Sequence, residues 1–440
     1  MLRVGELSAA DLANEFGTPL YAYDAGVIRR QIDRVKRAFA SLPFRPFYAM
    51  KANGSLAILE LIRKNGFGCD CVSPGEVFIA RAAGFAADDM WFTCSNVSDD
   101  DLRAIGDPRI VINVNSVSEI DRILELDLQN PIALRVNPDV GAGHHVDVVT
   151  GGGGVKFGID IAEIRDARSI VEDSGRKVVG LHAHIGSGID EIAPLIESAR
   201  RLLELSGNFP NLRWLNFGGG ISVPYRPGDA EFPIEEYGAE LTRVADRLLR
   251  ARDLTAILEP GRYVVAQSAM LLARVTAKRI SGGLMWLGCD TGFNHLVRPS
   301  KYGAYHHIVN ASRDAARQEE YVVAGNLCES GDVFTRDADG NVTLRRMDEC
   351  AIGDVIAFLD AGAYGFSMAS HYNARLLPPE VLVDRDSKRV IRERQTPVAT
   401  ALSQARMINL MDDMPMGTGG QQPLEGFLGH EVPEMGHPKR

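Results

Sequence analysis

Phe47-Tyr48-Ala49-Met50-Lys51-Ala52-Asn53 is an apolar run of β-formers that closes on a single lysine. Gly54-Ser55 follows, so Lys51 sits where a strand stops and a loop begins. Working outward, seven more short apolar runs close on small or polar residues. They are Gly68–Ser73, Met90–Asn96, Ile110–Asn115, Ile132–Asn137, Val178–Ser187, Trp214–Gly220 and Thr255–Arg262. Helical stretches lie between most of them, most clearly over 192–205, where Ile192, Leu195, Ile196, Ala199, Leu202 and Leu203 share one face. Eight strand–helix units in about 240 residues fit a (β/α)8 barrel. A doubly wound open sheet is the alternative. The barrel is preferred because Lys51, Asp70, His184, Gly218 to Gly220 and Glu259 all end strands, whereas an open sheet gathers its site at one switch point.

The flanks read differently. Leu7 to Phe16 is expected to be a helix, Pro19–Asp24 a strand, and 25–41 a basic amphipathic helix. After about residue 265, runs at Leu284–Gly288, Tyr321–Gly325, Val342–Arg345, Val355–Leu359 and Val381–Asp384 look like strands joined by turns, with Asp339-Gly340 as a hairpin signal. The expected domains are therefore a barrel over 26–264, a β-domain from 1–25 and 265–410, and a poorly ordered tail over 411–440. The strand near residue 20 is expected to join the β-domain sheet.

Composition narrows the class. At 440 residues, 45% apolar and 24% charged, the chain is an ordinary globular protein with room for two domains. No apolar run reaches membrane-spanning length, and no secretory signal is read at the N-terminus. Cys69, Cys71, Cys94, Cys289, Cys328 and Cys350 have neither disulfide-framework nor zinc-ribbon spacing, which points to reduced thiols and the cytoplasm. A net charge of −10 argues against nucleic acid as a partner.

A lysine at a strand end among apolar neighbours can lose its proton and attack an aldehyde or ketone, although an ordinary solvated lysine reads the same way. Gly218-Gly219-Gly220 offers bare backbone N–H groups to a phosphate, and a tight turn would use the same glycines. His182 and His184 share one strand face, which permits a metal pair, but no convincing third and fourth ligand accompanies them. Glu259-Pro260-Gly261-Arg262 places a carboxylate at the last strand end, where a buried ion pair would look alike. Arg298–Tyr302, Cys328–Asp332 and Ala361–Gly365 read as loops with polar centres. Cys328 is equally a buried small hydrophobe or a reactive thiol. Together, Lys51, Glu259, His184 and the glycine nest meet the needs of a phosphorylated pyridine aldehyde: an amine, a carboxylate for the ring nitrogen, a flat group and an anion cradle.

Ten stretches in order carry a resemblance: FGTPLYAYD, YAMKAN, CDCVSPGE, VKFGI, HAHIGSG, FGGGIS, EPGRY, RPSKYGAYH, CESGD and DAGAYGFSM. Over roughly residues 7–405 the chain resembles the fold-type III pyridoxal-phosphate-dependent decarboxylases, most closely those acting on diaminopimelate. The resemblance implies pyridoxal 5'-phosphate as cofactor and a head-to-tail homodimer with two active sites at the interface. Lys51 matches the lysine that binds the cofactor aldehyde, His184 the ring-stacking histidine, and Glu259 the partner of the pyridine nitrogen. Ser187, Gly219, Gly220 and Tyr364 match cofactor contacts, and Asp70 falls in the same pocket. Arg262, Arg298 and Tyr302 match residues that hold the substrate's carboxylate-bearing end. Cys328, as proton donor, and Glu329, as reader of the distal amine, match a pair supplied by the partner subunit.

The implied reaction is decarboxylation of meso-2,6-diaminopimelate to L-lysine. The alternative is a related decarboxylase of another amino acid or of a siderophore or antibiotic precursor. Two departures bear on that choice. Asp147 stands where the family commonly has tyrosine, and Gly151-Gly152-Gly153-Gly154-Val155 replaces a polar segment, which predicts a more flexible loop at the substrate mouth. An alanine-racemase-like activity is disfavoured by the CESGD and RPSKYGAYH stretches. A non-catalytic scaffold is disfavoured by the presence of Lys51, Glu259 and Cys328 together.

Overall fold

A computed structural model describes residues 2–93, 95–143, 149–152, 154–314 and 317–405. Cys94, Asp147, Gly153 and the 411–440 tail lie outside the described residues. Within them, eight parallel strands close into a barrel: Phe44–Ala49, Gly68–Cys71, Met90–Thr93, Val111–Val114, Ile132–Asn137, Val178–His182, Trp214–Asn216 and Thr255–Leu258. Closure comes from Val178–His182, which pairs with both Ile132–Asn137 and Trp214–Asn216, and from Thr255–Leu258, which pairs with Phe44–Ala49. The strands keep the expected order, although most end two to five residues before the runs read from sequence. Of the candidate site residues, Lys51, His184, Gly219, Gly220 and Glu259 therefore lie on the turns just past the strands, and Asp70 lies within one.

Side chains alternate across a strand, so every second residue enters the barrel. One inward layer is apolar: Phe47, Trp91, Val111, Ala133 and Ile257 pack together, with Trp214 against them. Phe47 and Trp214 both meet Trp91 edge-on, with centroids 6.2 and 5.9 Å apart. Two residues on, towards the strand C-termini, the same faces carry Asp70, Thr93, Asn113, Arg135, His182, Asn216 and Glu259, all buried. The barrel is thus a greasy floor with a polar ring above it.

Local signals set the helix starts. Ser8 accepts a hydrogen bond from Asp11 N, Asp24 from Gly26 N and Val27 N, and Ser73 from Glu76 N with Pro74 in the first turn. The helix Ala25–Ala38 buries Ile28, Ile32 and Val35, and Ile192–Ser206 buries Leu195, Ile196, Ala199, Leu202 and Leu203 of the stripe read from its sequence, with Ile192 at its first turn only half-buried.

The second sheet is built around Ala269–Ser281, a thirteen-residue strand not foreseen from sequence. Its first half pairs with Leu20–Asp24 and Val355–Phe358, and its second half with Leu284–Cys289 beyond a register shift between Val275 and Ala277. Leu20–Asp24 also pairs with Glu380–Asp384, so the N-terminal strand does join this sheet. Two expectations need correction. The strand expected over Val342–Arg345 is instead Arg345–Asp348, while Val342 only bridges Arg336 across the Asp339-Gly340 turn. Arg298–Tyr302, read as a loop, is a short helix, because Pro299 presets its first turn. Residues from Gln395 form a separate unit, in which the helix Pro397–Ala405 is described.

No described helix is long and apolar enough to cross a membrane. The five described cysteines are all free thiols.

Candidate active site

Lys51 lies in a single 3-10 turn, Met50–Ala52, immediately after the first barrel strand. Its Nζ stands 3.7 Å from Asp70 Oδ2, and its side chain is 37% exposed towards the barrel mouth. Asp70 is fully buried, and neither of its oxygens finds a hydrogen-bond donor among the described residues. The expectation that apolar surroundings strip the Lys51 proton needs correction. Burial alone lowers its pKa, but the charge of Asp70, with Tyr364 and Glu259, outweighs burial and leaves it raised. Burial and Glu259 push the Asp70 carboxyl up to about 8, against the pull of Lys51.

Opposite Lys51 stand the two histidines, their rings parallel within 10° and 6.5 Å apart. Gly219 N–H donates to His184 Nδ1 at 3.1 Å, which fixes the ring and leaves its proton on Nε2. Burial, then the charges of Lys51 and Arg135, hold His184 far below its usual pKa, so it presents a neutral flat face. His182 instead turns Nε2 to Glu259 Oε2 at 3.3 Å. Among the described residues no group of three or more His, Cys, Asp or Glu side chains is arranged to hold a metal.

Glu259 is 5% exposed. Burial would raise its pKa, yet His182, Lys51 and His184 hold it down at about 2. An ionised carboxylate therefore faces the cavity. Beside it runs the glycine nest. A Cβ on Gly219 would run into the Glu259 carbonyl, and one on Gly220, at φ +94°, into the Gly186 carbonyl. Only bare backbone fits there, as a close phosphate cradle requires.

A cavity of about 380 Å³ opens above this floor, lined by Lys51, His184, Ser187, Arg262, Arg298, Tyr302 and Tyr364. A recess of about 30 Å³ adjoins it at Gly220 and Glu259. Arg262 donates through Nη1 to Tyr225 OH at 2.8 Å and through Nη2 to Ser187 Oγ at 2.9 Å. Arg298, 2% exposed, meets His306 Nε2 at 2.8 Å. His306 Nδ1–H donates to the Leu359 carbonyl, so Nε2 is the acceptor and the ring is neutral. Neither arginine forms an ion pair with an acidic side chain among the described residues. Tyr364 holds φ +55°, and its N–H donates to the Ala52 carbonyl, tying the β-domain turn to the turn that carries Lys51.

The structure thus gathers Lys51, Asp70, His184, Ser187, Gly219, Gly220, Glu259, Arg262, Arg298, Tyr302 and Tyr364 around one cavity. Cys328 and Glu329 are elsewhere: both are exposed on a β-domain loop, where Cys328 N–H donates to Asn373 Oδ1 at 2.7 Å. Sequence reasoning missed Arg135, Thr93, Ser95, Thr150, Phe157 and Met368 in the lining. Arg135 is 6% exposed and lies over the Phe157 ring at 4.5 Å. Its signal was an arginine inside the apolar run Ile132–Asn137. The glycine run, expected to be loose, is pinned at Gly152, whose N–H and carbonyl both bond the Asn137 amide, at 3.0 and 2.9 Å.

These groups fit pyridoxal phosphate. An amine, an ionised carboxylate, a pinned neutral ring and a backbone cradle converge, and the buried Asp70 carboxyl lies 3.7 Å from the amine.

The comparisons agree. The family model for the pyridoxal-binding domain of pyridoxal-dependent decarboxylases matches residues 25–266. The diaminopimelate decarboxylase of Methanothermobacter thermautotrophicus is 41% identical over 407 residues, covering 90% of this chain and 93% of that one. The Escherichia coli K12 diaminopimelate decarboxylase is 38% identical, covering 88% and 93%. The crystal structure of diaminopimelate decarboxylase from Helicobacter pylori complexed with L-lysine superposes with a TM-score of 0.83 at 30% identity, covering 90% of this chain and 99% of that one. A further diaminopimelate decarboxylase crystal structure gives 0.84 at 37%, covering 90% and 96%. With these similarities resting on a closed barrel and a convergent lysine, histidine and glutamate, the chain belongs to the pyridoxal-phosphate-dependent decarboxylases, and within them to the diaminopimelate decarboxylase family.

Proposed function

We propose that this protein decarboxylates meso-2,6-diaminopimelate to L-lysine and CO2, as a head-to-tail homodimer in the cytoplasm. The observation that carries the substrate reading is the pair Arg262 and Arg298. Both are buried, both hydrogen-bond only neutral groups, and neither forms an ion pair with an acidic side chain among the described residues. Buried cations need compensation, and a substrate with a second carboxylate supplies it. Tyr302 lines the same end of the cavity.

Pyridoxal phosphate, when bound, supplies an aldehyde for the substrate amine and a protonated ring that takes up the electron pair left by CO2. Lys51 would hold that aldehyde at rest, and Asp70, 3.7 Å from its Nζ, would balance the charge of the free amine. Glu259, held ionised, would keep the proton on the ring nitrogen. His184, held by the Gly219 N–H, would cover the ring face, while Gly220 and Ser187 would meet the phosphate end, with Gly219 leaving the close backbone approach open. Cys328 of the partner subunit would return a proton to the reacting carbon, and Glu329 of the partner subunit would read the distal amine. Their exposure on a loop away from their own cavity is what supports an intersubunit role.

The test is CO2 release from meso-diaminopimelate, lysine and ornithine by the cofactor-loaded protein. Release from diaminopimelate alone is expected. Comparable turnover of lysine would overturn the role given to the arginines.

A further inference from the structure

The polar ring contains two side chains that reach Glu259 and that the mechanism above leaves idle. Asn216, fully buried, donates through Nδ2 to Glu259 Oε1 at 2.6 Å. The direction of that amide is not free, because Gly218 N–H donates to Asn216 Oδ1 at 2.9 Å. His182, 1% exposed, meets Glu259 Oε2 at 3.3 Å. An ionised carboxylate only accepts, so His182 Nε2 carries the proton and donates. His182 Nδ1 has no partner among the described residues, as suits a bare lone pair better than an N–H. The Glu259 backbone is tied in as well, its N–H donating to the Gly218 carbonyl at 2.7 Å. The ends of three adjacent strands therefore grip one carboxylate from both sides.

We propose that His182 and Asn216 are positioning residues that clamp Glu259, fixing its direction and keeping it the acceptor that the cofactor's ring nitrogen meets. The inference rests on the proposed cofactor chemistry. Each donor satisfies one carboxylate oxygen and leaves that oxygen's other lone pair for the ligand. Hydrogen bonds to a buried charge are strong and directional, so losing one donor lets the carboxylate turn towards whatever donor remains. A side chain that merely filled space would be replaceable by an apolar group of similar size.

The test compares equilibrium uptake of pyridoxal phosphate with uptake of an isosteric analogue carrying carbon in place of the ring nitrogen. The variants are His182→Leu, Asn216→Leu and His182→Gln, the last keeping an N–H donor near the Nε2 position. Wild type is expected to favour pyridoxal phosphate. The two leucine variants are expected to cut that preference roughly tenfold or more, the effect of losing a hydrogen bond to a charged group. His182→Gln restores most of it. A purely structural defect would weaken both compounds together and leave the ratio unchanged, which would overturn the clamp. If one leucine variant fails to fold, the other decides. Wild type showing no preference would defeat the cofactor reading itself, whereas a clear wild-type preference retained in all variants defeats only the clamp.

Discussion

Replacing Arg298 with methionine should erase the distinction between a substrate with two carboxylates and one with a single carboxylate. Arg298 is 2% exposed, its nearest polar anchor is the neutral His306, and burial pulls its pKa down. Breaking a buried ion pair by removing one partner costs about 3–5 kcal/mol, which corresponds to roughly two to four decades in efficiency at 1.36 kcal/mol per decade. The same cost is met from either side: lysine leaves the guanidinium unpaired, and Arg298→Met leaves the carboxylate unpaired. Steady-state kcat/KM is measured for diaminopimelate and lysine with wild type and variant. Diaminopimelate is expected to lose about two to four decades in the variant and lysine less than about one, so the ratio collapses. Arg298→Lys should fall between, since it keeps the charge but not the planar fork. Cofactor uptake should not change. A variant that still prefers diaminopimelate by the wild-type ratio would refute the reasoning.

Other outcomes follow from the same geometry. Cys328→Ala should bind cofactor normally but protonate slowly or at the wrong position; mixing it with Lys51→Ala subunits should restore turnover, and no restoration would place both groups in one chain's site. Gly219→Ala should weaken cofactor binding while the barrel still folds, because its Cβ meets the Glu259 carbonyl; an overpacking cost of about 1–3 kcal/mol in melting experiments is expected, and undiminished cofactor affinity would contradict the cradle. Glu259 has a folded pKa depressed from 4.5 to about 2, so its contribution to stability is present above pH 4.5 and lost as pH falls through about 2. The stability gap between wild type and Glu259→Gln should therefore narrow over that window, and a gap that widens on acidification would reverse the assignment.

Lys51, Glu259 and the glycines were legible because each interrupts an apolar run at the point where a strand must end. The barrel was legible for the same reason, as eight such interruptions. Arg135, Thr93 and Asn216 sit on the inward side of their strands beside Asp70 and Glu259, and counting two residues on from Trp91, Val111, Ala133, Trp214 and Ile257 would have found Thr93, Asn113, Arg135, Asn216 and Glu259. Reading strands only at their ends hid it. The Tyr225 and His306 groups that hold the two arginines belong to loops with no period, so only tertiary structure joins them. Ala269–Ser281 escaped because it serves two sets of partners in turn and so lacks one alternation. The charge state of Lys51 could not be read locally either: its apolar neighbours are adjacent in sequence, whereas Asp70 and Glu259, which hold its proton, come from other strands.

The most direct measurement uses carboxyl-labelled meso-diaminopimelate with wild-type holoprotein and a folded Lys51→Ala variant. Labelled CO2 and lysine should form in equal amounts with wild type and in neither form with the variant. Release by Lys51→Ala, or none by the cofactor-loaded wild type, would contradict the account at its centre.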